Sequence, residues 1–266
     1  MERDRIHIKP NFSHSKEEIW NSHFKKSVDN LEVPNKRFVN SQMFLKWLTG
    51  VAAIFIFILL PILANQKRTI ISSSGENISL LLPDNSKVIL NAKSSLSYKP
   101  YLWFISRKVE LNGEAYFEVS KGKTFSVFSK NARVQVLGTS FNILDRSNYY
   151  KVNCYTGRVQ VQDKQNNTAI LRPNMQVLIE NNNFEVTHVL SENSGKFWLH
   201  DQFIFVNVPL SFVLSELERQ YNIVIRTTDT LNFRYTMKFS KDMSPEDILK
   251  IIEDTFHIHL DYEFVQ

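Results

Sequence analysis

The sequence predicts a single transmembrane helix, then an all-β domain, then a small α/β domain. Three observations predict it. Residues 47–66 carry no charged side chain and are bracketed by Lys46 on one side and by Lys67 and Arg68 on the other. From residue 70 to about 190, short runs of alternating polarity are separated by turn residues, which is how half-buried strands read. In residues 203–264, the set Val213-Leu214, Leu217-Glu218, Tyr221, Ile223 and Ile225 recurs thirty-five positions later as Ile248-Leu249, Ile252-Glu253, Phe256, Ile258 and Leu260. The chain therefore divides into a tail (1–46), a span (47–66), a β domain (70–190) and an α/β domain (198–266).

In the tail, Ser15-Lys16-Glu17-Glu18 has the form of a capping box, in which the serine hydroxyl and the glutamate carboxylate satisfy amides at a helix start. Trp20, Phe24, Val28 and Leu31 follow at spacings of four, four and three, which puts them on one face, and Pro34 ends the pattern. A short isolated helix is marginal in water, so an apolar stripe containing Trp and Phe calls for a cover. Docking of the helix into a partner's groove supplies one. A helix lying on the membrane surface and a disordered tail are the alternatives.

The span follows from length and solvation. About twenty residues rising ~1.5 Å each give roughly 30 Å, the thickness of a bilayer's hydrocarbon core. A cleaved signal peptide would need small residues at the cleavage site, whereas Ile62 precedes Ala64. A lipid anchor would need a cysteine just after the apolar run, and the chain's single cysteine is Cys154. A buried core helix would be amphipathic or shorter than this one. Pro61 lies near the far end, where membrane helices tolerate a kink. Flanking charge gives only a slight orientation bias, but Arg3, Arg5, Lys9, Lys16, Lys25 and Lys26 tip it toward a cytoplasmic tail and an exported remainder.

Within the β domain, Lys87-Val88-Ile89-Leu90, Lys108-Val109-Glu110-Leu111, Arg133-Val134-Gln135-Val136 and Arg158-Val159-Gln160-Val161 each point one residue type in and the other out. Asp84-Asn85 and Pro173-Asn174 place asparagine where a turn needs positive φ, and Gly113, Gly138 and Gly157 punctuate other strands. Stacked sheets, a sandwich and a solenoid-like sheet all satisfy this pattern. Cys154 alternates with Val152 and reads as a small buried hydrophobe. Glu114 and Glu118 share a face, which invites a paired-carboxylate reading. Because Ala115, Phe117 and Val119 take the other face, the glutamates are expected in solvent instead. The stretch from Tyr98 to Phe104, with Tyr101 and Trp103, is either an exposed aromatic contact or a loop folded onto the core.

In the α/β domain each copy of the repeat is a helix running into a strand. Asn207 and Pro209 open the first helix and Ser244-Pro245 the second. Apolar strands at 203–206 and 235–239 precede them, so the plan is βαβ followed by βαβ, two helices on a short sheet. Edge strands of such a fold offer unpaired amides to a similar domain. Phe203, Phe205, Tyr235 and Met237 are the candidate contacts there. His257 and His259 alternate on an expected strand but lack a third ligand, so no metal site is expected. No phosphate loop, dinucleotide fingerprint or nucleophile elbow occurs, and no cofactor is expected. The 32 basic and 27 acidic residues are scattered along the chain, with no arginine-rich cluster to mark a nucleic-acid surface.

Four runs in this order resemble the FecR domain of bacterial transmembrane regulators: residues 82–92 (LPDNSKVILNA), 109–119 (VELNGEAYFEV), 136–142 (VLGTSFN) and 156–161 (TGRVQV). Asn85 and Asn174 stand where the family usually has glycine, and asparagine is the next-best residue for a left-handed turn. Trp198, Asn207-Val208-Pro209-Leu210, Leu217-Glu218 and Tyr221 are similar to the domain that follows FecR in one branch of the family. Its doubled plan resembles the short signalling domain of secretins and TonB-dependent transducers.

The resemblance implies a regulator of the bacterial inner membrane with no enzymatic activity. Its N-terminus would lie in the cytoplasm and its C-terminus in the periplasm. A TonB-dependent outer-membrane transporter would contact the periplasmic part, and the tail would control an extracytoplasmic-function sigma factor. Trp20, Phe24, Val28 and Leu31 would then hold the sigma factor, and Phe203, Phe205, Tyr235 and Met237 the transducer's signalling domain. The alternative is a membrane-tethered periplasmic binding or scaffold module with an inert tail.

Overall fold

The structure, a computed structural model, describes residues 13–29, 41–146, 149–189 and 194–265. The chain forms two compact units, residues 1–57 and 58–266. In the first, α1 (Lys16–Ile19) runs through a π-helical turn (Trp20–Phe24) into α2 (Lys25–Asp29). The capping box forms as expected: Glu18 N–H donates to Ser15 Oγ, and Ser15 N–H donates to a Glu18 carboxylate oxygen. The expected stop at Pro34 lies outside the described residues. Helix α3 (Ser41–Ala64) has 24 residues and takes in residues 47–64 of the expected span, with Asn65 and Gln66 beyond its end. Its side chains are described at 46–55 and 57–59, and all but the half-buried Val51 are exposed. Among the described residues no helix is long and apolar enough to cross a membrane.

The second unit is mostly β-sheet. Its strands are β1 (Arg68–Ile71), β2 (Ile78–Leu81), β3 (Lys87–Leu90), β4 (Ser95–Tyr98), β5 (Arg107–Glu118), β6 (Phe125–Phe128), β7 (Ala132–Val136), β8 (Ser140–Arg146), β9 (Tyr149–Cys154), β10 (Val159–Asp163), β11 (Thr168–Leu171), β12 (Met175–Glu180) and β13 (Asn183–His188). After them come β14 (Gln202–Pro209), α4 (Leu210–Tyr221), β15 (Ile223–Arg226), β16 (Arg234–Ser240), α5 (Pro245–Phe256) and β17 (Asp261–Phe264).

Of the three β arrangements left open by the pattern, the chain adopts a sandwich whose two sheets share one strand. The first half of β5 pairs with β4 and, in parallel, with β6; its second half pairs with β3 and β8. The changeover falls at Gly113, where φ is +105° and a Cβ would lie 2.5 Å from Ser94 Oγ, so glycine alone fits. One sheet then runs β1-β4-β5-β6-β7-β10-β11, the other β2-β3-β5-β8-β9-β12-β13. Both cover one core, in which Phe117 stacks on Phe141 with ring centroids 4.9 Å apart and meets Phe125 edge-on at 6.1 Å. Asn85 and Asn174 take the expected positive φ, 62° and 66°. Cys154 is buried on β9, and burial pushes its thiol up to about 11, which leaves it unreactive.

The C-terminal elements follow the expected strand–helix–strand order twice, but the strands form two separate ladders, β14 with β16 and β15 with β17, rather than one short sheet. The repeat has a structural counterpart down to single hydrogen bonds. Glu218 accepts from Ile225 N–H at 2.9 Å, and Glu253 accepts from Leu260 N–H at 2.7 Å. Both helices end on a left-handed residue, Asn222 and His257. His257 is thus a helix cap rather than a strand residue, and the expected pairing of His257 and His259 on one strand face does not form.

Candidate functional site

The second domain builds its core on the outer face of the sandwich. Tyr116 of β5, Leu144 of β8 and Tyr149 of β9 point away from the sandwich interior and join Trp198, Phe203, Phe205, Val208, Leu210, Val213 and Leu217 in one buried cluster. Helix α4 lies there because Leu210, Val213, Leu214 and Leu217 form a continuous stripe, and that stripe meets the sheet.

A polar network closes the joint. Glu114, only 7% exposed, accepts from Asn91 Nδ2 at 2.7 Å and from Asn142 Nδ2 at 2.8 Å. Gln220 Nε2 on α4 donates to Asn91 Oδ1 at 3.0 Å. Arg146 donates to the carbonyls of Ala92 and Lys93 at 2.6 and 2.8 Å, and its Nε lies 3.3 Å from Glu216 Oε1. The same Glu216 oxygen takes a 2.7 Å contact from Arg219. Main chain is stitched across as well. Gly75 N–H donates to the Arg219 carbonyl at 3.0 Å, and Lys241 Nζ donates to the Gly75 carbonyl at 2.7 Å. Gly75 has φ +64°, and a Cβ there would sit 2.6 Å from the Gln220 carbonyl oxygen. Farther along, Arg234 pairs with Glu180 at 2.9 Å, which raises the arginine further above its ordinary value.

This cover corrects the expectation for Glu114. The alternation along β5 is as expected, with Ala115 and Phe117 inward and Glu114 and Glu118 outward. Outward means solvent only for Glu118, because the second domain lies over Glu114. Burial is the main cause that lifts Glu114 from 4.5 to about 7, helped by the charge of Glu216 and opposed by Asn142, Asn91 and Arg146. Between those two values the folded protein holds a proton that the unfolded chain has released. Stability from this group is therefore greatest below pH 4.5 and is lost as pH rises to about 7, a span of roughly 3 kcal/mol. Urea unfolding at pH 5 and pH 8 measures it, and Glu114→Gln is expected to remove most of the difference.

The neighbouring cavity, about 70 Å³, is lined by Glu114, Lys151, Trp198, Phe205 and Glu216 among others, enough for a few waters. Desolvation lowers Lys151 from its ordinary value, against the attraction of Glu114. Among the described residues no group of three or more His, Cys, Asp or Glu side chains could hold a metal ion. The arrangement is that of a welded joint between two domains.

The candidate contact residues fare differently. Phe203 and Phe205 are buried in the second core, and Tyr235 and Met237 are half-buried against it. Their side chains are spent on folding, because alternate positions of β14 and β16 must face α4 and α5 for this small domain to have a core. What these strands leave available is backbone: among the described residues neither two-stranded ladder pairs with a further strand, although Glu218 already takes the Ile225 N–H on β15. In the tail, Trp20, Phe24 and Val28 are all exposed, and Trp20 stacks on Phe24 with centroids 5.6 Å apart. Leu31 lies outside the described residues. Arg146, Glu216 and Gln220 escaped the sequence reading, although Glu216 and Gln220 flank the apolar stripe of α4, the one signal that could have marked them.

No curated protein matches the chain significantly. Two crystal structures are similar to it, at 2.50 and 1.65 Å resolution, each of a proposed anti-sigma factor from Parabacteroides distasonis ATCC 8503. The first is 26% identical with a TM-score of 0.66, covering 76% of this chain and 100% of its own. The second is 26% identical with a TM-score of 0.65, covering 75% and 100%. The family profile described as FecR protein matches residues 68–160, and that described as FecR, C-terminal matches residues 202–264. The sandwich and the domain welded to it are therefore these two modules in their usual order, and the chain belongs to the FecR family.

Proposed function

We propose that the chain is an anti-sigma regulator of the bacterial inner membrane. The observation that carries this reading is the FecR pair of modules, preceded by a tail helix that exposes Trp20, Phe24 and Val28. In the tail, Trp20, Phe24 and Val28 hold apolar surface in water, which favours a protein partner, and an extracytoplasmic-function sigma factor is the partner the family implies. Helix α3 is the membrane span in this reading. Residues 47–66 are uncharged, and the helix exposes Ile54, Phe55, Phe57, Ile58 and Leu59. The modules after α3 then lie in the periplasm and receive the signalling domain of a TonB-dependent transporter on a free strand edge. Regulation rather than catalysis is the role in this reading, with Glu114, Arg146, Glu216 and Gln220 taken up in holding the joint.

The test is affinity capture from detergent-solubilised membranes with the full chain as bait. Recovery of an extracytoplasmic-function sigma factor is the expected result. Recovery of none, with transcription of the transporter locus unchanged on deleting residues 1–46, would favour the periplasmic scaffold with an inert tail.

A further inference from the structure

The loop from Lys99 to Ser106 is held rigidly, yet it presents apolar side chains to water. Pro100–Leu102 forms a 3₁₀ turn, and Trp103 is driven into the core, 2% exposed, with its ring edge-on to Tyr98 at 5.5 Å and to Phe125 at 5.8 Å. With that anchor inside, its neighbours face out: Tyr101 is 64% exposed, Phe104 79% and Ile105 76%. Single exposed hydrophobes are ordinary, but three on one pinned loop form a patch.

Cations surround it. A groove of about 350 Å³ beside the loop is lined by Lys67, Lys99 and Lys108, with Glu110 as its acidic member. Glu110 is already engaged by Lys67 at 2.7 Å. Lys123 Nζ reaches the Phe104 carbonyl at 3.2 Å from the other side.

The chain's own path fixes where this patch lies. Helix α3 ends at Ala64, and Lys99 Nζ donates to Asn65 Oδ1 at 2.7 Å. Arg68, the first residue of β1, is the register partner of Tyr98, the last of β4. The loop therefore begins beside the point where the chain leaves α3.

We propose that this loop is a membrane-docking surface: Tyr101, Phe104 and Ile105 enter the headgroup region, and Lys67, Lys99 and Lys108 hold the phosphates of anionic lipids. The proposal rests on the reading of α3 as a span. Residues 65–68 then lie at headgroup depth, and the loop tied to them lies there too. An aromatic ring with a polar tip and basic residues at its flank is the chemistry that suits that depth.

The experiment uses the full chain in vesicles containing phosphatidylglycerol, with a nitroxide at Phe104→Cys, at Phe57→Cys or at Lys164→Cys. Cys154 is buried and stays unlabelled. Lys164 follows Asp163, whose partner Ala132 is at the far end of β7 from Val136, beside Phe125 and the loop, so it serves as the aqueous control. Relative accessibility to oxygen over a water-soluble nickel chelate is expected to be several-fold higher at 104 than at 164. It should fall toward the control in Lys99→Glu/Lys108→Glu or in phosphatidylcholine vesicles. A label at 104 as aqueous as that at 164, with 57 in hydrocarbon, would overturn the docking surface and leave the span intact. A label at 57 in water would remove the span and the docking surface with it.

Discussion

Trp20→Ala/Phe24→Ala in the full chain is expected to weaken sigma-factor capture by roughly 100- to 1,000-fold, since buried aromatic anchors each carry about 2 kcal/mol or more of an interface. The two rings act as one unit, stacked 5.6 Å apart on consecutive turns of the exposed face. The π-helical turn at Trp20–Phe24 widens the helix where they sit, and such turns are frequent at functional sites. Lys26→Ala and Asp29→Ala, off the apolar face, are the controls and should bind normally. Competition binding with labelled sigma factor measures the difference. Wild-type affinity in the double variant would show that the tail helix is not the docking element.

Glu216→Ala is expected to be the most destabilising polar substitution at the joint between the sandwich and the C-terminal domain, at about 3 kcal/mol. It strands Arg146, buried on β8, with two carbonyls and no carboxylate. For a unit of this size that lowers the melting temperature by about 6–12 °C. Arg219→Ala removes the other, more exposed partner of Glu216 and should cost less than 1 kcal/mol. Because a buried ion pair gains little over an apolar one of similar volume, Arg146→Met/Glu216→Leu is expected to recover most of the loss. Thermal unfolding of the three variants checks the set, and a double variant no better than Glu216→Ala would mean that the charges and Arg146's bonds to the Ala92 and Lys93 carbonyls, not packing, hold the joint.

What could be read from the letters was what depends on near neighbours in sequence. The capping box at Ser15, the left-handed turns at Asn85 and Asn174 and the inward and outward residues of β5 follow from one or two turns of chain. So does the thirty-five-residue repeat, which the structure repeats in the Glu218 and Glu253 hydrogen bonds. What could not be read was what one domain does to another. Nothing in the alternation around Glu114 says that α4 will cover it, and nothing in Phe203 or Phe205 says whether an alternate strand position faces a core or a partner. Residues 98–104 answered both ways at once: Trp103 folds onto the core, and Tyr101 and Phe104 remain outside.

The bonds that join Ser74 and Gly75 to Arg219, Asn222 and Lys241 tie the C-terminal domain to the segment just after β1. The C-terminal module is thus fastened to the polypeptide at Gly75, just beyond β1, as well as to the sandwich strands through Asn91, Arg146 and Glu180. Between that stitch and the end of α3 stands the four-residue ladder of β1 against β4. A pull on the C-terminal module is therefore expected to load the β1–β4 ladder directly, alongside the contacts on β8 and the Asn91 loop.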